Sequence, residues 1–265
     1  MERRRDDGVS LRRVKLAGVV QVLAGTQVRQ KDTEVSGDIP NLADWYDARY
    51  RLGPDVMRPY EAYPWQLRFL NPRRGAKLLD VCCGSGYFLK AAYDYYGMRT
   101  WGADISPEAV ACCGTVTPTS CVVVSPAETL PFKDGMFGYV TCLGSLEHVQ
   151  DIDAALEEMK RVACPGAQFF ITVPNRNFIY WRFGGKRATE QSAINENPKS
   201  LDEWRAIFAR HKLTIERLGQ DRWYVNKVKN RLGRIFVRAA AAVLPLRWCY
   251  VFVFVLRRMT VEEEH

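Results

Sequence analysis

The sequence predicts an α/β fold built on a doubly wound, mostly parallel sheet of seven strands, with an antiparallel edge strand and an N-terminal helical cap. From Lys77 onward, short continuous apolar segments alternate with segments of helical periodicity, which is typical of parallel strands buried on both faces. A Gly-Ser-Gly turn joins the first of these strands to the first helix. Two late apolar segments, separated by a longer helix-containing stretch, predict an antiparallel pair at one edge of the sheet.

Local signals place the individual elements along the chain. Ser106-Pro107 predicts a helix start, with the serine as N-cap and the proline in the first turn. Ser200 and Glu203 form the pattern of a capping box. The predicted helices cover residues 86–97, a stretch that begins at 106, 152–162 and 200–211. The predicted strands cover 77–82, 100–104, 121–125, 138–143, 167–173, 212–219 and 249–256.

The length of 265 residues suits one domain with an extension. Residues 1–40 are polar and charged and are predicted to form an N-terminal extension, and residues 41–265 are predicted to form the folded domain. Aromatic-rich helical stretches between Asn41 and Leu70 form the predicted cap. The irregular segment at about 174–200 is predicted to be an insertion.

Neither end of the chain has the pattern of a membrane-targeting segment. Residues 235–256 are long enough to span a bilayer, but Arg238, Pro245 and Arg247 interrupt them, and charges at mid-membrane are costly. We therefore predict a helix, a break at the proline and a buried strand. Charges such as Arg12 break up the apolar N-terminal stretch, so we predict no signal peptide and expect a cytoplasmic location.

Charge and cysteine content limit the classes of partner and site. The formal net charge is +8, which admits anionic partners, although many soluble enzymes are equally basic. None of the eight cysteines has C-x-x-C spacing, and two adjacent cysteines do not readily bind one tetrahedral ion. We therefore predict reduced cysteines packed as small apolar side chains.

The segment KLLDVCCGSGYFLK, residues 77–90, carries the main chemical signal. Asp80 lies at the end of the first strand, and Gly84 and Gly86 lead directly into a helix. Glycines at such a turn let a ligand approach the backbone. Asp104 ends the next strand, where a carboxylate can accept both hydroxyls of a ribose. The pair of signals favours a ligand that carries a nucleoside, and a glycine-rich turn without a ligand is the alternative.

Two other nucleotide sites do not fit this segment. A nicotinamide fingerprint needs glycine where Leu89 stands. A P-loop needs a Gly-Lys-Ser/Thr ending, which the segment lacks.

The ordered set of segments resembles class I S-adenosylmethionine-dependent methyltransferases, which have a Rossmann-like sheet. LLDVCCGSG looks like motif I of that family, and GADISPEAV resembles its second-strand motif. AETLPFKDGMFGYV is similar to its adenine-side loop and fourth strand, and LGSLEHVQDIDAALEEMKRVACPGAQFFITVPN to its later motifs. The resemblance covers residues 77–175 with matching spacing. PKSLDEWRAIFARHKLTIERLG continues it in the style of the type-11, ubiquinone O-methyltransferase-like branch.

The resemblance implies that S-adenosylmethionine is the cofactor and that particular residues hold it. Asp80, at the end of the first strand, would order the loop and help hold the methionine amino group, and Gly84 and Gly86 would let the cofactor pass close to the backbone. An acid on the second strand takes the ribose hydroxyls, and its neighbour packs on adenine. A backbone N–H from the third strand's loop bonds adenine, and the end of the fourth strand faces the methionine. In chain order, these positions are Asp80, Cys82, Gly84, Gly86, Asp104, Ile105, Ala127, Glu128 and Leu143. Tyr46 and Tyr50 could close over the cofactor or serve core packing.

Three positions depart from the family's usual pattern. Cys82 stands where the loop's first glycine is usual, Pro126 replaces the adenine-side aspartate, and Gly138 replaces the aspartate after Phe137. Each change is tolerable singly, and together they favour weaker cofactor binding. A binding or regulatory protein without turnover is therefore the alternative from another class.

Glu147-His148, after the fourth strand, is the candidate catalytic feature. His148 could act as a general base because histidine accepts protons near neutral pH. The pair could equally serve capping and packing. In the ubiquinone O-methyltransferase-like branch a further glutamate completes a proposed metal set, and here that position is Gly144, so we expect no metal.

The variable segments are predicted to bind the acceptor. Phe178, Tyr180, Trp181, Arg182 and Phe183 lie close together in the insertion, which suits a flat or lipid-like acceptor, although the cluster could equally pack the segment onto the sheet. We predict a small-molecule or lipid-like acceptor that is methylated at oxygen. The basic segment 222–248 could contact a membrane surface or form a solvated helix face. Nucleic acid is not expected as a partner, because LGSLEH stands where base-modifying methyltransferases have an Asn-Pro-Pro-Tyr type motif.

Overall fold

A computed structural model describes residues 42–52, 60–178, 197–221 and 245–259, together with positions 230, 232, 235 and 239. Its helices are α1 (Leu42–Arg51), α2 (Tyr63–Leu67), α3 (Tyr87–Tyr96), α4 (Pro107–Val116), α5 (Ile152–Val162) and α6 (Leu201–Arg210). Short 3-10 turns cover Tyr60–Ala62, Arg68–Leu70 and Leu246–Trp248. Its strands are β1 (Lys77–Val81), β2 (Arg99–Asp104), β3 (Cys121–Val124), β4 (Phe137–Leu143), β5 (Ala163–Pro174), β6 (Leu213–Gln220) and β7 (Val251–Arg258).

The strands form one seven-stranded sheet in the order β3-β2-β1-β4-β5-β7-β6. β1 pairs in parallel with β2 and β4, β2 with β3, and β4 with β5. β7 lies between β5 and β6 and is antiparallel to both. The predicted fold class, including the antiparallel pair formed by the last two strands, is confirmed.

Aromatic side chains fill both faces of the sheet. On the face covered by α2 and α3, the ring of Phe170 stacks on Phe69 at 6.2 Å and on Phe88 at 6.3 Å between centroids. On the opposite face, Phe208 of α6 meets Phe254 edge-on at 5.0 Å. These rings are large apolar surfaces removed from water, so they stabilise a sheet covered on both sides.

The helix starts follow the predicted capping chemistry. The Ser106 hydroxyl accepts a hydrogen bond from the Ala109 N–H at 3.0 Å. Ser200 and Glu203 exchange the two hydrogen bonds of a capping box. These bonds satisfy N–H groups that a helix N-terminus would otherwise leave unpaired.

Several predictions fall partly or wholly outside the described residues. The extension at 1–40 lies wholly outside, as does 179–196 of the insertion at 174–200. Most of the basic segment 222–248 also lies outside. Within the part of the chain that the structure describes, no helix has the length and apolar character needed to cross a bilayer.

Candidate cofactor-binding and active site

The candidate site lies where the strand order reverses, between β1 and β4. In doubly wound sheets, ligands bind in the crevice beyond the carboxyl ends of the strands at this point. The structure brings three predicted features to this edge. They are the loop after β1, the carboxylate that ends β2, and the loop after β4.

The loop after β1 uses left-handed backbone conformations at three positions. Gly84 has φ +50° and Gly86 has φ +77°, which glycine adopts without steric cost. Cys82 has φ +59°, so the cysteine occupies the family's first-glycine position in the conformation that favours glycine. A non-glycine residue in this region costs roughly 1–2 kcal/mol. Cys82 therefore keeps the left-handed backbone conformation that suits glycine, at a cost in conformational free energy.

Gly86 lies against the cysteine pair of α4. A Cβ atom built on Gly86 would lie 2.3 Å from Cys113 Sγ, which is a steric overlap. The loop therefore needs glycine here for space as well as for conformation. All eight cysteines are free, and Cys83, Cys113, Cys142 and Cys249 are buried as predicted for packed thiols, whereas Cys121 is exposed.

Asp104, at the end of β2, joins the loop to the second strand. Its Oδ2 accepts a hydrogen bond from the Gly84 N–H at 2.8 Å, and its Oδ1 accepts one from the Ser106 N–H at 3.0 Å. The side chain is nearly buried, and burial raises the pKa of its carboxyl. Each carboxylate oxygen has capacity for a further hydrogen bond, as two ribose hydroxyls require.

Asp80 is buried one strand away on β1. Its Oδ1 accepts a hydrogen bond from the Thr141 hydroxyl of β4 at 2.6 Å. The pKa of the Asp80 carboxyl is raised to about 8, mainly by burial and in part by the nearby Asp104, against the lowering effect of the Thr141 hydrogen bond. At neutral pH the carboxyl of the cofactor-free protein is therefore mainly in its neutral form.

Asp80 should make the stability of the cofactor-free protein depend on pH. Its pKa is raised from 3.8 in the unfolded chain to about 8 in the fold, so the folded state holds a proton that the unfolded state has lost. The free energy of unfolding should fall as pH rises through this window, by at most about 1.4 kcal/mol per pH unit. Urea unfolding of the wild type and of Asp80→Asn at several pH values measures the difference. Equal pH slopes for the two proteins would contradict the assignment.

The adenine-side loop is tied to the loop after β4. Ala127 is buried, and the departure Pro126 lies directly before it. The Glu128 carboxylate accepts hydrogen bonds from the backbone N–H groups of Gln150 and Asp151, at 3.0 and 3.2 Å. The described contacts of Glu128 are thus with protein backbone, and its role in cofactor binding stays a prediction.

The loop after β4 carries the predicted catalytic histidine. Leu143 ends the strand, and Gly144, at φ +65°, donates its N–H to the Thr172 carbonyl at 2.7 Å. Glu147 and His148 are buried, with Glu147 Oε1 3.8 Å from His148 Nε2. His148 therefore lies on a turn beside the cofactor edge rather than at a helix start, since α5 begins at Ile152.

Sequence reasoning missed two residues that shape the site. Thr141 is the hydrogen-bond partner of Asp80, and a polar residue inside the apolar segment GYVTCL was an available signal for it. Asp47, on α1, bonds to the turn that follows Asp104. No local pattern marks Asp47, because its contact joins two distant parts of the chain.

A second recess lies at the opposite edge of the sheet. It has a volume of about 390 Å³, and charged residues of both signs line it, among them Glu157, Lys160 and Arg161. The Arg161 guanidinium is already bonded to Glu158 and Asp134. The recess is remote from the strand ends that carry the predicted site. Among the described residues, no group of three His, Cys, Asp or Glu side chains could hold a metal ion.

The residues at the carboxyl edge fit a nucleoside-bearing cofactor. A Cβ atom at Gly84 would lie 2.5 Å from the Tyr50 hydroxyl, so a side chain there would displace the tip of Tyr50. The Asp104 carboxylate stands one strand over, at the place a ribose needs. The fold and this site together define the class I S-adenosylmethionine-dependent methyltransferase architecture.

A family model described as a methyltransferase domain matches residues 79–171. This range contains every predicted cofactor-binding residue and His148. Residues 79–171 therefore form a domain of the class I S-adenosylmethionine-dependent methyltransferase family, and the cofactor of that family is S-adenosylmethionine.

Curated relatives resemble part of the chain. It is 34% identical over 116 residues to the norajmaline N-methyltransferase of Rauvolfia serpentina, which covers 40% of each chain. It is 31% identical over 152 residues to a ubiquinone/menaquinone biosynthesis C-methyltransferase of Burkholderia mallei, which covers 54% of this chain and 60% of the relative. The matched part thus spans between 40% and 60% of the length of these relatives.

Solved structures share the fold over most of the chain. A putative methyltransferase in complex with the Haloferax volcanii Trm112 methyltransferase activator has a TM-score of 0.60 at 22% identity, covering 82% of this chain and 96% of that one. A geranyl diphosphate C-methyltransferase from Streptomyces coelicolor, solved with S-adenosyl-L-homocysteine, has a TM-score of 0.57 at 16% identity, covering 75% and 76%. At these identities the likeness shows the fold alone.

Proposed function

We propose that this protein transfers the methyl group of S-adenosylmethionine to an oxygen atom of a small-molecule or lipid-like acceptor. The observation that carries the proposal is the hydrogen bond from the Gly84 N–H to Asp104. It joins the glycine loop and the ribose-binding carboxylate into one site at the point where the strand order reverses.

When bound, S-adenosylmethionine supplies a methyl group that its sulfonium already makes electrophilic. The chain must therefore bind, orient and exclude water rather than activate the methyl group. Asp104 would hold the ribose hydroxyls, and Asp80 would lie near the methionine ammonium. A cation beside Asp80 favours the ionised carboxylate, so cofactor binding should draw a proton away from this residue.

His148 is proposed to accept the proton of the acceptor hydroxyl. It lies on the loop that follows Leu143, and the Glu147 carboxylate, 3.8 Å from its Nε2, would stabilise the charged imidazole electrostatically. General-base assistance of this kind contributes roughly 10²–10⁴-fold to a rate.

The acceptor is proposed to bind beyond the ends of β4 and β5. Phe178, just past the end of β5, packs on Tyr250 at 5.0 Å between ring centroids, so aromatic surface is present at this edge. The named activities of the relatives, N-methylation of norajmaline and C-methylation in quinone biosynthesis, both concern small molecules. Their different reacting atoms make transfer to oxygen the part of the proposal that most needs a test. Contact of the basic segment 222–248 with a membrane surface remains part of the proposal for a lipid-like acceptor.

The proposal predicts that calorimetry detects binding of both S-adenosylmethionine and S-adenosylhomocysteine, and that phenols or reduced quinones release S-adenosylhomocysteine in an assay. His148→Ala should then lower kcat about 10²-fold or more, because the base is lost. His211→Ala is the matched control, since His211 bonds Asp153 and Glu157 on α5, away from the cofactor edge.

Each outcome distinguishes between two hypotheses about the function of the protein. Absence of binding of either compound would reject the enzyme. Binding without turnover of any acceptor would favour the regulatory protein that Pro126 suggests. Turnover of secondary amines but not of phenols or reduced quinones would reject transfer to oxygen.

A further inference from the structure

We propose that Thr172 and Gln66 form a polar subsite for the acceptor, and that this subsite selects an acceptor with a second hydroxyl group away from the reacting oxygen. Asp221 is the positioning residue that orients Gln66. The inference rests on the proposed function and deepens it, because it assumes that an acceptor hydroxyl is methylated beyond the end of β4. It adds the chemical group by which that acceptor is recognised.

Thr172 lies directly beside the strand end that is predicted to face the methionine part of the cofactor. On β5 it pairs with Leu143 of β4, and its carbonyl accepts the Gly144 N–H at 2.7 Å. Its side chain points to the sheet face covered by α2 and α3, because Phe170, two residues earlier on the strand, packs there. A Cβ built on Gly144 meets no atom of the described residues within 4 Å, so these residues leave space at this end of β4.

Gln66 and Asp221 belong to the same face of the sheet, further toward β6. Phe69, one turn after Gln66, stacks on Phe170. Its ring also lies 3.4 Å from a Cβ built on Gly219 of β6. Asp221 follows two residues after Gly219, where β6 ends at the carboxyl edge of the parallel strands. The bond between Gln66 and Asp221 therefore places the glutamine side chain beyond the aromatic layer, toward this edge.

The orientation of the Gln66 amide is fixed by its partner. Its Nε2 donates a hydrogen bond to Asp221 Oδ2 at 3.2 Å. A carboxylate oxygen accepts hydrogen bonds, so the amide nitrogen faces Asp221 and the amide oxygen points away from it. The two residues are 1% and 2% exposed, so this orientation is held inside the protein. A ligand group that bonds Gln66 Oε1 must therefore be a hydrogen-bond donor.

Gln66 Oε1 and Thr172 Oγ1 are buried oxygens without a hydrogen-bond partner among the described residues. Leaving a buried polar atom unpaired is costly, and most buried polar side chains have a partner. Thr141, on the neighbouring strand and the same face, shows the usual arrangement, since its hydroxyl bonds Asp80 at 2.6 Å. Two unpaired oxygens on the acceptor side of the candidate site are therefore available to a ligand.

The layout of the subsite limits the class of acceptor. Thr172 lies on β5 and Asp221 at the end of β6, with β7 between them, so the two ends of the subsite are about 10 Å apart. An acceptor with two fused rings suits this length better than one with a single ring. The carboxylate beside Gln66 disfavours an anionic group there, because like charges repel. The subsite therefore fits a neutral two-ring compound with a hydroxyl group at each end.

The test measures kcat/KM for two kinds of acceptor by the release of S-adenosylhomocysteine. Naphthols have one hydroxyl group, and dihydroxynaphthalenes have two. The wild type should have a kcat/KM about ten-fold or more higher for its best dihydroxynaphthalene than for the naphthol that lacks the second hydroxyl. The reason is that the second hydroxyl pairs with Gln66 Oε1, which the naphthol leaves unpaired.

Three variants locate this preference. Gln66→Leu should lose it and still bind S-adenosylhomocysteine with wild-type affinity. Asp221→Asn should reduce it, because an amide partner no longer fixes which way the glutamine points. Gln168→Leu is the matched control and should keep the full preference, since Gln168 bonds Glu216 at the opposite edge of the sheet.

The midpoint of urea unfolding tests the subsite without any turnover. Thr172→Val removes a hydroxyl that has no partner in the described protein, so its midpoint should equal or exceed that of the wild type. Thr141→Val is the matched control on the next strand. Its midpoint should fall, because Asp80 loses its hydrogen-bond partner.

The outcomes separate the subsite from the proposed function. A wild type that methylates both kinds of acceptor equally well, or a preference that Gln66→Leu retains, would overturn the subsite and leave methyl transfer standing. A midpoint of Thr172→Val as low as that of Thr141→Val would also overturn it, since the hydroxyl would then have a structural partner. A wild type that binds no S-adenosylhomocysteine would instead overturn the proposed function.

Discussion

Replacing Asp104 by alanine is expected to weaken S-adenosylmethionine binding about a hundred-fold. Two hydrogen bonds from ribose hydroxyls to a carboxylate are lost, each worth about 1.5–3 kcal/mol. A total of about 3 kcal/mol corresponds to two orders of magnitude in the dissociation constant. The Gly84 N–H also loses its acceptor, so the glycine loop loses a support at the same time. Isothermal calorimetry measures the effect.

Two variants separate this effect from general damage. Asp104→Asn keeps one acceptor oxygen and should weaken binding less than alanine does. Asp94→Ala removes another carboxylate, which bonds Lys90 and Tyr60 on the outside of α3, and should leave cofactor affinity unchanged. An Asp104→Ala protein with wild-type affinity would show that the ribose is held elsewhere.

Gly86→Ala is expected to lower the free energy of unfolding by about 3 kcal/mol. A left-handed alanine costs roughly 1–2 kcal/mol, and the added methyl group overlaps Cys113 Sγ at 2.3 Å. Overpacking of a filled interior typically costs a further 1–3 kcal/mol. Urea unfolding followed by circular dichroism measures the loss.

The chain contains a close control for this substitution. Gly75 has the same φ of +77°, but nothing lies within 4 Å of a Cβ built there. Gly75→Ala should therefore show the conformational cost alone, about 1 kcal/mol. Gly86→Ala in a Cys113→Ala background should recover part of the difference. Equal losses for the two glycines would mean that the cofactor loop moves away from α4 without cost.

The sheet could be predicted because its signals are local. An apolar run bounded by turn residues identifies each parallel strand, and the predicted helix 152–162 coincides with α5. β5 begins at Ala163, four residues before the predicted strand. The dipeptide Pro165-Gly166 is typical of a turn, but the strand continues through it, and Ala163 pairs with Phe137. β7 continues to Arg258 because its backbone still pairs there with Leu213 of β6, and the Arg258 side chain donates a hydrogen bond to the Ala163 carbonyl.

The site was predictable only where residues lie near strand ends. Asp80 and Asp104 follow from their positions after apolar runs, and the structure brings both to one edge of the sheet. The contact of Asp47 with the start of α4 joins elements that are far apart in the chain, so no local sequence pattern predicts it. The left-handed conformation of Cys82 was also hidden, because the residue type argues against it.

The position of β7 between β5 and β6 determines when the domain can be completed during synthesis. Among the strands that the structure describes, β6 pairs only with β7, and β7 also covers the edge of β5. Until Val251–Arg258 has left the ribosome, β5 therefore ends the nascent sheet with unpaired backbone groups. Unpaired strand edges are templates for association with other chains. The interval in which the nascent chain is vulnerable to misassembly thus lasts at least until β7 has been translated.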